Sequence, residues 1–269
     1  MRIAVTDLSD PELSIFHTLN EAQLRHFYEP HGGIFIAESA KVTERALDAG
    51  LRPHSMLLNE ALCSEEAVRV LARLDAEFDI PVYTAPEKVM TQITGYHLTG
   101  GMLCAMYRPE LRDVPSLIQN ASRVAVLENV TNPTNAGAII RSAAALEIDA
   151  VLFKDGSADP LNRRAIRVSM GCVFQVSWTV ITDYSILKEQ GFRCMAMALS
   201  DDSVSLRDPS LKAHPKVALF MGAEGDGLSP GTISFCNDVV RIPMRPGVDS
   251  LNVAAASAVA FWELGSGAR

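Results

Sequence analysis

The chain is predicted to be an α/β protein with a mostly parallel sheet, divided into two units. Strand-like apolar runs alternate with helix-like segments, and repeated β-α units of this kind build a parallel sheet covered on both faces. The alternation stops at residues 108–120 (RPELRDVPSLIQN), which hold two prolines and no sustained apolar period, and then restarts. That stretch is the predicted linker between units 1–107 and 121–269. Apolar residues make up 48% of the 269, enough for a packed core.

Taken in order, residues 12–28 are helix-like and 33–37 (GIFIA) form a short strand. Residues 39–49 make a helix closed by Gly50 at a natural C-cap position. A strand at 55–58, a helix at 64–78 and strands at 80–83 and 102–106 complete the first unit. In the second unit, strands are predicted at 124–127, 150–153, 174–179, 194–199, 217–221 and 239–242, with helices between most of them. The final helix, 253–262 (VAAASAVAFW), has one hydroxyl and no charge. A helix apolar all round must be buried on all sides. At a chain end a subunit interface does this economically; filling the monomer core is the alternative.

Charge narrows the function classes. Residues 1–115 hold 10 Lys/Arg against 17 Asp/Glu, and 116–269 hold 14 against 15, so the net of −8 sits mostly in the first part. An acidic chain is not an obvious nucleic-acid binder. Local patches matter more than totals, however, and Arg163-Arg164-x-x-Arg167 is a basic cluster. No apolar stretch reaches the roughly 18–20 residues that span a bilayer. The start, MRIAVTDLSDPEL, lacks the layout of a signal peptide. A soluble cytoplasmic protein with no membrane partner is expected. The five cysteines, at 63, 104, 172, 194 and 236, contain no C-x-x-C pair, which argues against zinc and a disulfide framework.

Ligands in open α/β sheets bind beyond the carboxyl ends of strands, and three such ends carry unusual loops. The first is NVTNPTNAG, 129–137, with Asn135 where an N-cap belongs and Arg141 turned away from the apolar face of Ile139, Ala143 and Leu146. The pattern alone favours a capping Asn and a solvated Arg over a functional pair. The second is VALFMGAEGDGLSPG, 217–231, where Gly222, Gly225 and Gly227 allow close backbone approach and Glu224 and Asp226 stand among them. Its spacing is neither a dinucleotide fingerprint nor a phosphate loop. In the third, VVRIPMRPGVDSLNVAAA, 239–256, Ser250 is a plausible N-cap and Asn252 needs a hydrogen-bond partner at the mouth of an apolar helix.

Together, NPTNAGAIIRSA, MGAEGDGLS and IPM…SLNVAAA resemble the three motifs of the SpoU (TrmH) branch of the SPOUT RNA methyltransferases, over roughly residues 120–265. LNRRAIRVSMG at 161–171 fits between the first two motifs. GIFIAESAKVTERALDAG at 33–50 resembles the small L30e-like substrate-binding domain that often precedes them, with Ser39 where the family commonly has Gly. The resemblance implies a deep trefoil knot near the C-terminus, a homodimer with its active site at the interface, and S-adenosylmethionine bent into the knot; no metal is expected. Its first-motif Asn and Arg fall on Asn135 and Arg141, its second-motif Gly and Glu on Gly222 and Glu224, and its third-motif residues on Ile242, Ser250, Leu251 and Asn252. The adenine would lie near Leu199, Gly222, Ile242 and Leu251. Ala254 replaces a frequent Ser and has no assigned role.

The reaction so implied is methyl transfer to a ribose 2′-hydroxyl of ribosomal or transfer RNA, ribosomal being favoured. Arg141's counterpart is a proposed base. A guanidinium stays protonated, so gripping the adjoining phosphate and lowering the hydroxyl's pKa suit it better. Glu224 and Asn252 would orient Arg141 or substrate, and Arg164 and Arg167 would meet backbone phosphates unless they only solvate a helix face. Three other readings stand beside this one: a non-catalytic RNA-binding protein of the same fold, a SPOUT enzyme acting on a base nitrogen, and a nucleotide-dependent oxidoreductase.

Overall fold

The computed structural model describes residues 2–27, 32–59, 61, 64–96, 98, 101–200, 202–223, 225–248 and 250–265. The strands are β1 (Arg2–Ala4), β2 (Ile34–Glu38), β3 (Pro53–Leu58), β4 (Val82–Thr84), β5 (Met102–Tyr107), β6 (Arg123–Leu127), β7 (Ala150–Lys154), β8 (Ser177–Ile181), β9 (Arg193–Met197), β10 (Val204–Ser205), β11 (Val217–Met221) and β12 (Asp238–Arg241). The helices are α1 (Ser14–His17), α2 (Glu21–Arg25), α3 (Ala40–Asp48), α4 (Glu65–Glu77), α5 (Glu87–Thr94), α6 (Val114–Ile118), α7 (Pro133–Ala145), α8 (Arg163–Val168), α9 (Ser185–Glu189), α10 (Pro230–Phe235) and α11 (Val253–Leu264). They form two compact units, Met1–Glu110 with Leu161–Phe174, and Leu111–Pro160 with Gln175–Arg269.

The first unit holds a mixed sheet of order β1-β4-β3-β5-β2. β1, β4 and β3 run parallel, and β5 runs antiparallel to β3 and β2. The helix predicted over 12–28 is broken. Asn20 starts α2 afresh with a capping box to Gln23, so the chain turns between α1 and α2; Tyr28 lies outside the described residues. β1 and α5 carried too short a pattern to be anticipated. α3 begins at Ser39, whose hydroxyl accepts from the Val42 N–H but whose φ is +94° with ψ 154°. That region of backbone space belongs essentially to glycine, which accounts physically for the Gly common at this position in the resembling family.

Residues 161–174 lie within the first unit, although the sequence placed them in the second. Packing decides this: Ala165, Ile166 and Val173 are buried, and Phe174 lies 5.4 Å from Phe35 of β2. Arg163 also pairs with the buried Glu38 carboxylate.

The second unit is a seven-stranded, wholly parallel sheet of order β10-β12-β9-β11-β6-β7-β8. β6, β11 and most of β7 and β9 are buried, as their unbroken apolar sequences require. The predicted linker is partly helical: Asp113 caps α6, Ile118 is buried, and the Thr179 hydroxyl of β8 donates to the Arg112 carbonyl at 2.7 Å.

α11 packs against α7. Ser257, Ala260, Phe261 and Leu264 are buried at helical spacing, while Val259 and Trp262 stand 41% and 77% exposed on the opposite face. Among the described residues, the apolar run 253–262 is therefore covered on one side only. Arg123 fastens its last turn by donating to the Leu264 carbonyl at 2.6 Å. Cys104 and Cys194 are buried, and burial pushes their thiols up to about 12 and about 11, which disfavours the thiolate. Cys172 and Cys236 are free and partly buried, and Cys63 lies outside the described residues.

Candidate functional site

Three neighbouring strands, β12, β9 and β11, end together. Beyond their carboxyl ends opens a cleft of about 630 Å³. Its walls are Met197 to Leu199 at the end of β9, Met221 to Ala223 and Gly225 to Leu228 at and beyond the end of β11, and Val240 to Ile242 with Ser250 to Val253 around β12 and the start of α11. Leu199, Gly222, Ile242, Ser250 and Leu251, the five residues predicted to hold a cofactor, all line it, and so does Asn252. Leu199 and Leu251 present exposed apolar surface there, 58% and 41% accessible. Apolar side chains with the Asp226 carboxylate and the Ser250 hydroxyl among them suit a ligand that has both an apolar face and polar groups.

A hydrogen bond joins the first loop to the edge of this cleft. α7 is capped by Asn132, whose side chain accepts from the Thr134 N–H at 2.8 Å, with Pro133 at the first helical position. Asn135 is therefore not the cap: it sits a turn inside the helix, 7% exposed. Its Oδ1 accepts from Asn252 Nδ2 at 3.2 Å. Asn252, rather than Ser250, is the N-cap of α11, accepting from the N–H groups of Ala254 and Ala255 at 3.0 and 3.3 Å. One amide thus starts the last helix with its oxygen and ties α7 to it with its nitrogen, which meets the need for a partner that its position created. Arg141 lies further along α7, exposed, outside the cleft lining, and has no hydrogen bond or ion pair among the described residues.

The glycine-rich loop is a braced hairpin. Ala223 and Gly227 exchange backbone hydrogen bonds at 3.2 and 3.1 Å. A Cβ on Gly222 would stand 2.2 Å from the Gly227 carbonyl carbon, so only glycine permits this closure. Glu224 lies outside the described residues.

Sequence reasoning gave no role to Glu128, the residue after β6. Its carboxylate, 5% exposed, accepts from the Ser229 N–H at 2.7 Å, from the Tyr184 hydroxyl at 2.8 Å and from the Thr232 hydroxyl. Burial alone would raise its pKa, but the hydrogen bonds from Thr232, Ser229 and Tyr184 outweigh this and hold it below the usual carboxylate range. An acidic residue directly after a wholly apolar parallel strand was the available signal.

Arg164 and Arg167 belong to the first unit. Arg167 reaches the Glu38 carboxylate at 3.4 Å and stacks over the Tyr96 ring at 5.0 Å, so it does not merely solvate a helix face; Arg164 is exposed.

Similarity to known proteins runs along the whole chain. The sequence model of the SpoU rRNA Methylase family matches residues 122–262. An uncharacterized tRNA/rRNA methyltransferase of Mycobacterium bovis is 38% identical over 267 residues, 96% of this chain and 90% of that protein. A 23S rRNA (guanosine-2′-O-)-methyltransferase RlmB of Bordetella pertussis is 34% identical over 152 residues, 56% of this chain and 62% of its own. The AdoMet-bound rRNA methyltransferase from Sinorhizobium meliloti shares the fold, with a TM-score of 0.82 at 24% identity over 98% of this chain and 97% of that one.

Proposed function

Because the chain belongs to the SpoU rRNA Methylase family, we propose that it transfers a methyl group from S-adenosylmethionine to a ribose 2′-hydroxyl of structured RNA, ribosomal in preference to transfer RNA. The observation that carries this reading is the cleft beyond β12, β9 and β11, whose lining includes all five residues expected to hold the cofactor and whose edge is joined to α7 through Asn252 and Asn135. The naming of its relatives as rRNA and tRNA/rRNA methyltransferases supports it.

S-adenosylmethionine, when bound, supplies a methyl group already activated on a sulfonium. Leu199, Ile242 and Leu251 would enclose its purine, and the backbone at Gly222 would approach it closely. The protein's principal task is then alignment, which contributes several kcal/mol when reacting atoms are held in near-attack geometry. Asn135 and Asn252 fix the edge of the cleft. Arg141, exposed on α7, grips the phosphate next to the target ribose, and its charge eases loss of the hydroxyl proton. Glu224 orients Arg141 or the RNA. Arg164 and Arg167 meet backbone phosphates from the first unit.

The finer features of the family complete the proposal: a trefoil knot formed by the C-terminal segments, an L30e-like first unit that contacts RNA, and a cytoplasmic homodimer. The exposed apolar stripe of Val259 and Trp262 on α11 supports the dimer. Trp262→Asp should yield a monomer in sedimentation, and an unchanged oligomeric state would remove α11 from the interface. No helix among the described residues is long and apolar enough to cross a membrane. The reaction is tested by incubating the protein with labelled S-adenosylmethionine and unmodified ribosomal RNA, then digesting to nucleosides. A 2′-O-methylnucleoside is expected. A methylated base would point to the base-nitrogen chemistry, and RNA binding without transfer to a non-catalytic protein.

A further inference from the structure

We propose that Glu128 is a positioning residue that holds the glycine-rich loop 222–229 in its cleft-lining conformation, and that its loss weakens binding of S-adenosylmethionine. The inference rests on the cofactor reading above. Both feet of the loop are set by this one residue. At the first, the Glu128 N–H donates to the Met221 carbonyl at 2.9 Å, beside Gly222. At the second, its carboxylate accepts from the Ser229 N–H at 2.7 Å. Between them the chain crosses back on itself at Ala223 and Gly227. The carboxylate has little freedom: its other oxygen takes the hydroxyls of Tyr184 and Thr232, and Tyr184 packs edge-on against Phe220 with ring centroids 5.0 Å apart. A buried acceptor with three donors around it is costly to remove, since each donor would be left unpaired.

The amide of glutamine keeps one acceptor for the Ser229 N–H, while the two hydroxyls can rotate to accept from its nitrogen. Toward the loop the role is therefore acceptance from the Ser229 N–H, which a neutral amide oxygen also provides. Titration of the full chain with S-adenosylmethionine should give a dissociation constant about tenfold higher for Glu128→Ala and within about threefold of wild type for Glu128→Gln. Amide exchange without ligand should quicken at 222–229 in the alanine variant while β7 keeps its protection. Unchanged affinity in Glu128→Ala, an equal loss in Glu128→Gln, or acceleration spread evenly over all strands of the second unit would overturn the proposal. If Glu128→Ala does not fold, Ser229→Pro compared with Ser229→Ala decides the matter: both lose the Ser229 hydroxyl that caps α10, while proline, accepted at φ −63°, also deletes the N–H; loop-confined exchange and affinity loss should appear in Ser229→Pro beyond those of Ser229→Ala, and equal effects in the two would overturn the anchor. Absence of cofactor binding by wild type would refute the cofactor reading, and the exchange pattern would still judge the anchor.

Discussion

Asn252 is expected to couple energetically to Asn135, and the coupling can be separated from its role as a helix cap. Replacing an asparagine N-cap by alanine costs about 1 kcal/mol. Losing a hydrogen bond between neutral side chains costs about 1 kcal/mol more. Asn252→Ala should therefore destabilise the second unit by about 2 kcal/mol. Asn135→Ala removes the 3.2 Å bond alone, and alanine's better helix propensity returns about 0.5 kcal/mol. In the double variant the cap is lost in the same way as in Asn252→Ala, so the cap cancels from the cycle and the remaining coupling, about 1 kcal/mol, belongs to the amide pair. Urea unfolding followed by tryptophan fluorescence reads the right unit, because the chain's two tryptophans, 178 and 262, both lie in it. A coupling below about 0.3 kcal/mol, the additivity of independent sites, would show that the two amides do not hold α7 to α11.

Other consequences follow from the same geometry. Arg141→Ala should abolish methylation while changing cofactor affinity little and stability by no more than about 0.5 kcal/mol, since the side chain is exposed; near-normal turnover would discard its assignment. Ser39→Gly should stabilise the first unit by about 1 kcal/mol, because relief of a glycine-type conformation at φ +94° is worth roughly 1–3 kcal/mol and exceeds the few tenths lost from the cap plus glycine's chain entropy; a lower melting temperature would contradict the strain. Glu128, held below the usual carboxylate range by its three donors, contributes stability that is full above its unfolded pKa of about 4.3 and is lost as pH falls through the folded value. The gap in unfolding midpoint between wild type and Glu128→Gln should accordingly narrow between about pH 6 and pH 3; a gap that widens on acidification would reverse the sign of the shift.

Local chemistry in the sequence was enough to determine a good deal. Unbroken apolar runs such as 217–221 match β11 residue for residue, because a strand buried on both faces needs no polar alternation. Gly222 announced a close backbone approach, while the glycine-rich joint and the SLN segment, each at a strand end where a parallel sheet binds ligands, were joined into one site through their resemblance to the family's motifs. Only the tertiary structure decided the rest. Which asparagine caps a helix depends on where Pro133 starts α7 and how Asn252 turns, not on residue type, so Asn135 and Ser250 were both misplaced by a turn or less. Residues 161–174 follow β7 in the chain yet complete the first unit's core, a choice made by Phe35 and Glu38 far away in sequence. Glu128 acquires its three donors from positions 184, 229 and 232, which no local pattern brings together. Propensity, capping preference and periodicity act over a few residues, whereas burial and hydrogen-bond satisfaction are settled by whichever distant segments the fold makes neighbours.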